Sequence, residues 1–212
     1  MTSTAAPSRR RGRPPKSDGD YRATRELLCR AGVAALTQKG FSATGIDEIL
    51  KSTGVPKGSF YNFFSSKEAF GAELIRLYAH YFARKLDRFF LDESLTPAQA
   101  ARSLCEDAEL GMARYEFRRG CLVGNLGQEM EALPEAFRGA LTAVLEDWQA
   151  RTARCLEAAR QAGRRDFPGD RLCEVGNVFW IGWEGAVLRA KLERRSEPLR
   201  LFAQLFVLSL KS

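Results

Sequence analysis

The sequence predicts an all-α protein: a short three-helix head followed by a six-helix body. Three observations carry this. Apolar residues recur at helical spacing along most of the chain, capping residues recur at intervals of about one helix, and no convincing period-2 strand or internal repeat is present.

Residues 1–18 are rich in Pro, Arg and Ser and are expected to be a disordered basic arm. Within them, Arg11-Gly12-Arg13-Pro14 combines a thin backbone, an extended backbone and two guanidinium groups. The narrow, strongly negative minor groove of A·T-rich DNA attracts such arginines, so Arg11 and Arg13 are candidate DNA contacts. The match is to the core of an AT-hook. A first helix is expected over residues 21–38, with Leu27, Ala31, Ala34 and Ala35 as its apolar stripe and Gly40 as its stop.

Residues 44–70, TGIDEILKSTGVPKGSFYNFFSSKEAF, are the most informative segment. Ile46, Ile49 and Leu50 mark one face of a short helix, with Thr44 as its expected cap and Asp47 three residues on. Gly54 breaks this helix at a position suited to positive φ. Pro56 and Lys57 open a second short helix. Two helices joined by a tight glycine turn form a helix-turn-helix, whose second helix enters the DNA major groove. Ser65 and Glu68 are expected to cap a long helix over residues 66–91, with Phe70, Leu74, Leu77 and Tyr81 on its buried face.

Beyond Asp92 the helical pattern continues. Thr96, Pro97 and Gln99 start a helix to about residue 115, and EFRRGCLVGNLGQEMEALP is a shorter, glycine-rich element. Pro134 starts a helix to about residue 162, Asp170 caps one to about residue 194, and Pro198 starts the last. That last helix is apolar through Leu199, Phe202, Leu205, Phe206 and Leu210. The expected division is residues 1–18 as arm, 19–66 as DNA-binding head, and 67–212 as a body for ligand binding and dimerisation.

Charge supports a nucleic-acid partner. Of the net +7, residues 1–70 carry +6, with 12 Lys/Arg against 6 Asp/Glu. That is the footprint of a phosphate-binding module attached to a near-neutral body. No apolar stretch reaches membrane-spanning length, and the N-terminus has no secretory core, so a cytosolic setting is expected. Five cysteines without framework spacing fit a reducing compartment. His80 is the only histidine, which excludes a His-based metal cluster, and no nucleotide motif is found. No cofactor, no metal and no enzymatic activity are expected.

The run GVPKGSFYNFFSSKEAF, with the arm and body around it, resembles the TetR family of bacterial repressors. RRGCLVGNLGQEM and FWIGWEGAVLRAKL resemble the acrylate-responsive AcuR subgroup of that family, and more loosely its electrophile-sensing NemR type. The resemblance implies DNA contacts from Thr44, Lys57, Gly58, Ser59, Tyr61, Asn62 and Lys67. Asn62 stands where many relatives carry His, so the operator sequence is not transferable. The resemblance also implies a homodimer through the last two helices, with Trp180, Gly182, Trp183, Gly185 and Ala186 as interface candidates.

For the body it implies a pocket for a small effector. The candidates are Arg118, Cys121, Asn125, Gln128 and Glu129 from one element, and Trp180, Trp183 and Glu184 from another. Cys121 follows Arg118 and Arg119 at an expected helix N-terminus, which would favour a thiolate able to add to acrylate-like electrophiles. Arg118 or Arg119 could instead pair with an acrylate carboxylate. Two other readings stay open at this point: an architectural binder of A·T-rich DNA without a ligand, and a thiol-dependent enzyme.

Overall fold

The computed structural model describes residues 18–163 and 171–210. The expectations for the 1–18 arm, for Arg11 and Arg13, and for the Asp170 cap lie outside the described residues, except that Asp18, placed in the arm, opens the first helix.

Among the described residues the chain is helical throughout, in the order α1 (Asp18–Lys39), α2 (Ile46–Thr53), α3 (Lys57–Phe60), α4 (Lys67–Phe90), α5 (Pro97–Ala113), α6 (Leu122–Gln128), α7 (Glu135–Gln161), α8 (Leu172–Glu193) and α9 (Glu197–Ser209). A single 3-10 turn, Met130–Ala132, sits between α6 and α7. The first three helices form the head. In the body α7 packs between α4 and α8, while α9 packs on α5 and α8.

Local chemistry explains most of the boundaries. Gly54 ends α2 at φ 67°, a left-handed conformation that glycine adopts without the Cβ clash. Thr96 and Gln99 form a reciprocal capping box at the start of α5. Two caps differ from expectation. The cap of α4 is Ser66, whose hydroxyl accepts from Ala69 N–H at 3.1 Å, so Ser65 is one residue early. Gly45 precedes α2, and Thr44 turns inward, its hydroxyl donating to the Gly40 carbonyl at 2.6 Å.

Buried faces also shift by a residue in places. Leu28, Cys29 and Leu36 carry the core side of α1, and Leu27 is exposed. On α4 the buried set is Phe70, Leu74, Ile75, Tyr78, Phe82, Leu86 and Phe90, with Leu77 half-buried and Tyr81 exposed. The head meets the body where Phe41 and Phe137 place their rings edge to face, 5.2 Å apart, over Gly71. A side chain at Gly71 would collide with both rings, so close approach requires glycine there.

The body core is aromatic. Phe82, Trp148, Phe179, Trp180 and Trp183 pack against one another with centroids 4.4 to 6.2 Å apart. Trp180 Nε1–H donates to Thr152 Oγ1 at 3.0 Å, which satisfies it inside the core. No helix among the described residues is long and apolar enough to cross a membrane.

Candidate nucleic-acid interface and effector cavity

Three aromatic side chains hold α3, the second helix of the helix-turn-helix, in place. Phe60 and Phe64 are buried, and Phe63 is half-buried beneath Tyr21, with ring centroids 4.3 Å apart. Tyr21 also donates its hydroxyl to the Asn62 carbonyl at 2.6 Å, so the start of α1 braces the turn after α3. Sequence reasoning missed this brace, because nothing near Tyr21 announces a partner so distant along the chain.

With the phenylalanines turned inward, Tyr61 and Asn62 are exposed, Tyr61 by 53 %. Ser59 is half-buried, and a Cβ at Gly58 would meet nothing, so the backbone there is open to close approach. Lys57 and Asp47 pair at 2.9 Å across the turn, both largely exposed. Lys67 is half-buried with its ammonium 4.5 Å above the Phe41 ring. Lys57, Gly58, Ser59, Tyr61 and Asn62 therefore share one small surface. Thr44 does not join it through its side chain, which is 4 % exposed with its hydroxyl engaged.

The body holds a cavity of about 280 Å³ between α1, α4, α5 and α8. Val33, Thr37, Tyr78, Tyr81, Phe82, Lys85, Met112, Arg119, Cys121 and Trp183 are among its lining residues. A second cavity of about 490 Å³ shares Val33, Thr37, Tyr78, Tyr81 and Arg119 with it and is lined further by Arg30, Leu77 and Tyr115. No carboxylate lines the first cavity, whereas Lys85 and Arg119 do. Lys85 pairs with Asp107, and Arg119 lies 3.9 Å from the Tyr115 ring centroid.

Of the expected pocket residues, Cys121 and Trp183 line this cavity. Glu184 sits directly behind Cys121. Trp180 is core. Arg118 pairs with Glu116 at 3.2 Å in a separate surface depression, so Arg119 is the arginine that faces the cavity. Gln128 and Glu129 border a different groove near Gly40. Asn125 is a connector: its Nδ2 donates to the Leu36 and Thr37 carbonyls at 2.8 Å, and its Oδ1 accepts from Lys191 at 3.1 Å. Tyr78, Tyr81 and Lys85 were missed, although their spacing on one face of α4 was available to find them.

The environment of Cys121 differs from expectation. The residue is 5 % exposed, and burial, reinforced by the nearby Glu184 carboxylate, pushes its thiol well above the ordinary range. The expected thiolate is therefore a thiol. Tyr78 donates to Cys121, and Cys121 in turn donates to Glu184. Burial raises the Glu184 carboxyl to about 7 and the Tyr78 phenol well above its usual value. All five cysteines are free thiols; Cys29 and Cys105 are buried, pushed up to about 11 and about 12 by that burial, and Cys173 is exposed.

Comparison with known proteins gives a consistent picture. Residues 22–74 match bacterial regulatory proteins of the tetR family, and residues 97–206 match a tetracyclin repressor-like C-terminal domain. The chain is 54 % identical to the transcriptional regulator AcuR of Cereibacter sphaeroides over 93 % of its length and 89 % of the relative's. It is 34 % identical to the repressor NemR of Escherichia coli, over 83 % of this chain and 88 % of that one. A crystal structure of a regulatory protein TetR from Rhodobacter sphaeroides superimposes with a TM-score of 0.84 at 53 % identity, covering 88 % of this chain and 98 % of that one. The reduced form of Escherichia coli NemR gives 0.76 at 30 % identity, covering 86 % and 95 %.

Proposed function

The chain belongs to the TetR family of bacterial transcriptional regulators, and from that premise we propose that it is a repressor which binds operator DNA as a homodimer and releases it when a small α,β-unsaturated acid, or another electrophile, occupies the cavity beside Cys121. Residues 67–212 form the effector and dimerisation body in this reading. Lys57, Gly58, Ser59, Tyr61 and Asn62 face the duplex, with Lys67 at the rim. Tyr61 offers a hydroxyl to phosphate and a ring to a thymine methyl, and Asn62 offers a bidentate amide to adenine.

One observation carries the effector half of the proposal: the cavity wall and the head share backbone. Val33 and Thr37 line the cavity from α1, the first helix of the head. The Thr37 carbonyl accepts from Gly120 N–H at 2.8 Å, one residue before Cys121. An occupant that favours a different spacing between α4 and α6 therefore moves the last turn of α1. Release follows only as far as the effector binds the two arrangements unequally. Arg119 and Lys85, with no opposing carboxylate in the lining, suit an anion with a short apolar body such as acrylate.

The test is fluorescence anisotropy on the chain's own promoter fragment, with and without acrylate, acrylamide and saturated propionate. Sequence-specific binding relieved by the unsaturated compounds is expected. Binding that ignores sequence, or that no small acid or electrophile weakens, overturns the reading.

A further inference from the structure

We propose that Glu184 is the proton acceptor that allows the buried Cys121 thiol to add to an α,β-unsaturated effector, and that it returns this proton to the adduct. This rests on the effector reading above and deepens it.

A sulfur nucleophile must be deprotonated to react at a useful rate. The surroundings of Cys121 deny it a resting thiolate: the side chain is buried, Arg118 is turned away to Glu116, and His80 is exposed on α4. What faces the thiol is a carboxylate. Cys121 donates to Glu184, whose Oε1 is fully buried and has no hydrogen-bond partner. A buried, unpartnered carboxylate oxygen is costly and calls for a use. The room for it comes from Gly124, where any Cβ would strike Glu184 Oε2. A second buried polar group in the wall of this cavity is also unpartnered: Trp183, 2 % exposed, has an Nε1–H without an acceptor. It is a donor available to the carbonyl or carboxylate oxygen of an occupant.

The step balances within the site. Glu184 takes the Sγ proton as the Cys121 sulfur bonds to the β-carbon of the effector. The π electrons move onto the α-carbon and its carbonyl oxygen, giving an enolate. The α-carbon then takes the proton from Glu184, leaving a thioether and a restored carboxylate. No oxidant or leaving group is involved. The titratable groups facing Glu184 are Cys121 at the start of α6 and Tyr78 on α4, with Arg119 and Lys85 farther along the same lining. Tyr78 donates to the sulfur and holds it in register.

The experiment follows Cys121 alkylation by acrylamide in the full chain, by peptide mass spectrometry from pH 5 to 9. Operator release by acrylate is measured separately. The wild-type rate should rise with pH around 7, where Glu184 ionises. Glu184→Gln should be slower by about 100-fold or more, the usual contribution of a general base, with no loss of melting temperature. Glu184→Asp should retain part of the rate and the same pH profile. A Glu184→Gln rate within threefold of wild type overturns the proposal, and so does a wild-type profile that climbs only above pH 8 like an ordinary thiol. The wild-type profile decides the matter even if the variants fold poorly. Operator release with Cys121 unmodified also removes the role of Glu184 and leaves the repressor reading intact. Glu184-dependent alkylation without operator release does the reverse.

Discussion

Glu184 keeps a carboxyl group where water hardly reaches, and that has a thermodynamic signature independent of any effector. Burial raises its folded pKa to about 7 from an ordinary value of 4.5. Below the ordinary value the group is protonated in both folded and unfolded chains, and its neutral form is tolerated. Between about 4.5 and 7 the unfolded chain has released this proton while the folded chain still holds it, so rising pH favours unfolding until the folded carboxyl also ionises. Stability is therefore lost on going from pH 5 to 8, by about 2–3 kcal/mol. For a chain of this size that corresponds to several degrees of melting temperature. Glu184→Gln should flatten this decline and be the more stable protein at pH 8; scanning calorimetry at both pH values measures it. On the head, Tyr61→Ala should weaken operator binding by roughly tenfold or more. Lys57→Ala should also lower the salt dependence by about one counterion. Since Tyr61 is 53 % exposed and Lys57 65 %, neither change should lower the melting temperature appreciably. Titrations at two salt concentrations separate these effects.

At the scale of elements, α6 ties the cavity to the head. It is short, yet Cys121 caps one end, Asn125 pins its middle to the last turn of α1, and Glu129 beyond it accepts from Ser42 N–H at 2.8 Å. Asn125→Ala would strip a donor pair from the Leu36 and Thr37 carbonyls, a loss of about 1–2 kcal/mol. The effector concentration needed for operator release should rise more than stability alone explains, because the link from cavity to α1 is weakened. A dose-response curve for Asn125→Ala that matches wild type would remove α6 from the pathway. Which elements form was legible in the sequence wherever the signal is local. Gly54 and the Thr96–Gln99 box mark boundaries through the chemistry of a few adjacent residues. What was not legible depends on distant neighbours. Arg118 and Arg119 beside Cys121 suggested a thiolate, but the fold turns Arg118 outward and brings up Glu184 from α8 instead. Likewise Asn125 sits among candidate pocket residues in sequence, and only the approach of α1 makes it a staple.

For the whole molecule, the faces left uncovered are as informative as the core. Trp180, Trp183 and Ala186, expected at a dimer interface, are buried within the body. A helix apolar on nearly every side cannot reveal from sequence which face meets its own chain. The exposed face of α8 is instead Val178, Ile181, Leu188 and Leu192, and that of α9 is Leu201, Leu205 and Leu208. The α9 row recurs every three or four residues, and the α8 row does so once the exposed Gly185 between Ile181 and Leu188 is counted, so each forms one stripe along its helix. In the proposed homodimer, these stripes on adjacent, packed helices are the surface that a second copy would cover by two-fold symmetry as a four-helix bundle. Ile181, 74 % exposed, is central to the α8 stripe. Ile181→Asp should leave the monomer fold intact, because its side chain touches little within the chain. In the bundle it would place two carboxylates near the symmetry axis in an apolar seam, which costs several kcal/mol unless the subunits part. The variant should sediment as a monomer at micromolar concentration with an unchanged helical circular dichroism spectrum. Operator affinity should fall by orders of magnitude, since one head reads a single half-site and the pair must span about 34 Å along the duplex. A monomeric variant that still binds its operator with wild-type affinity would mean that the two heads act alone, and dimerisation would have no part in recognition.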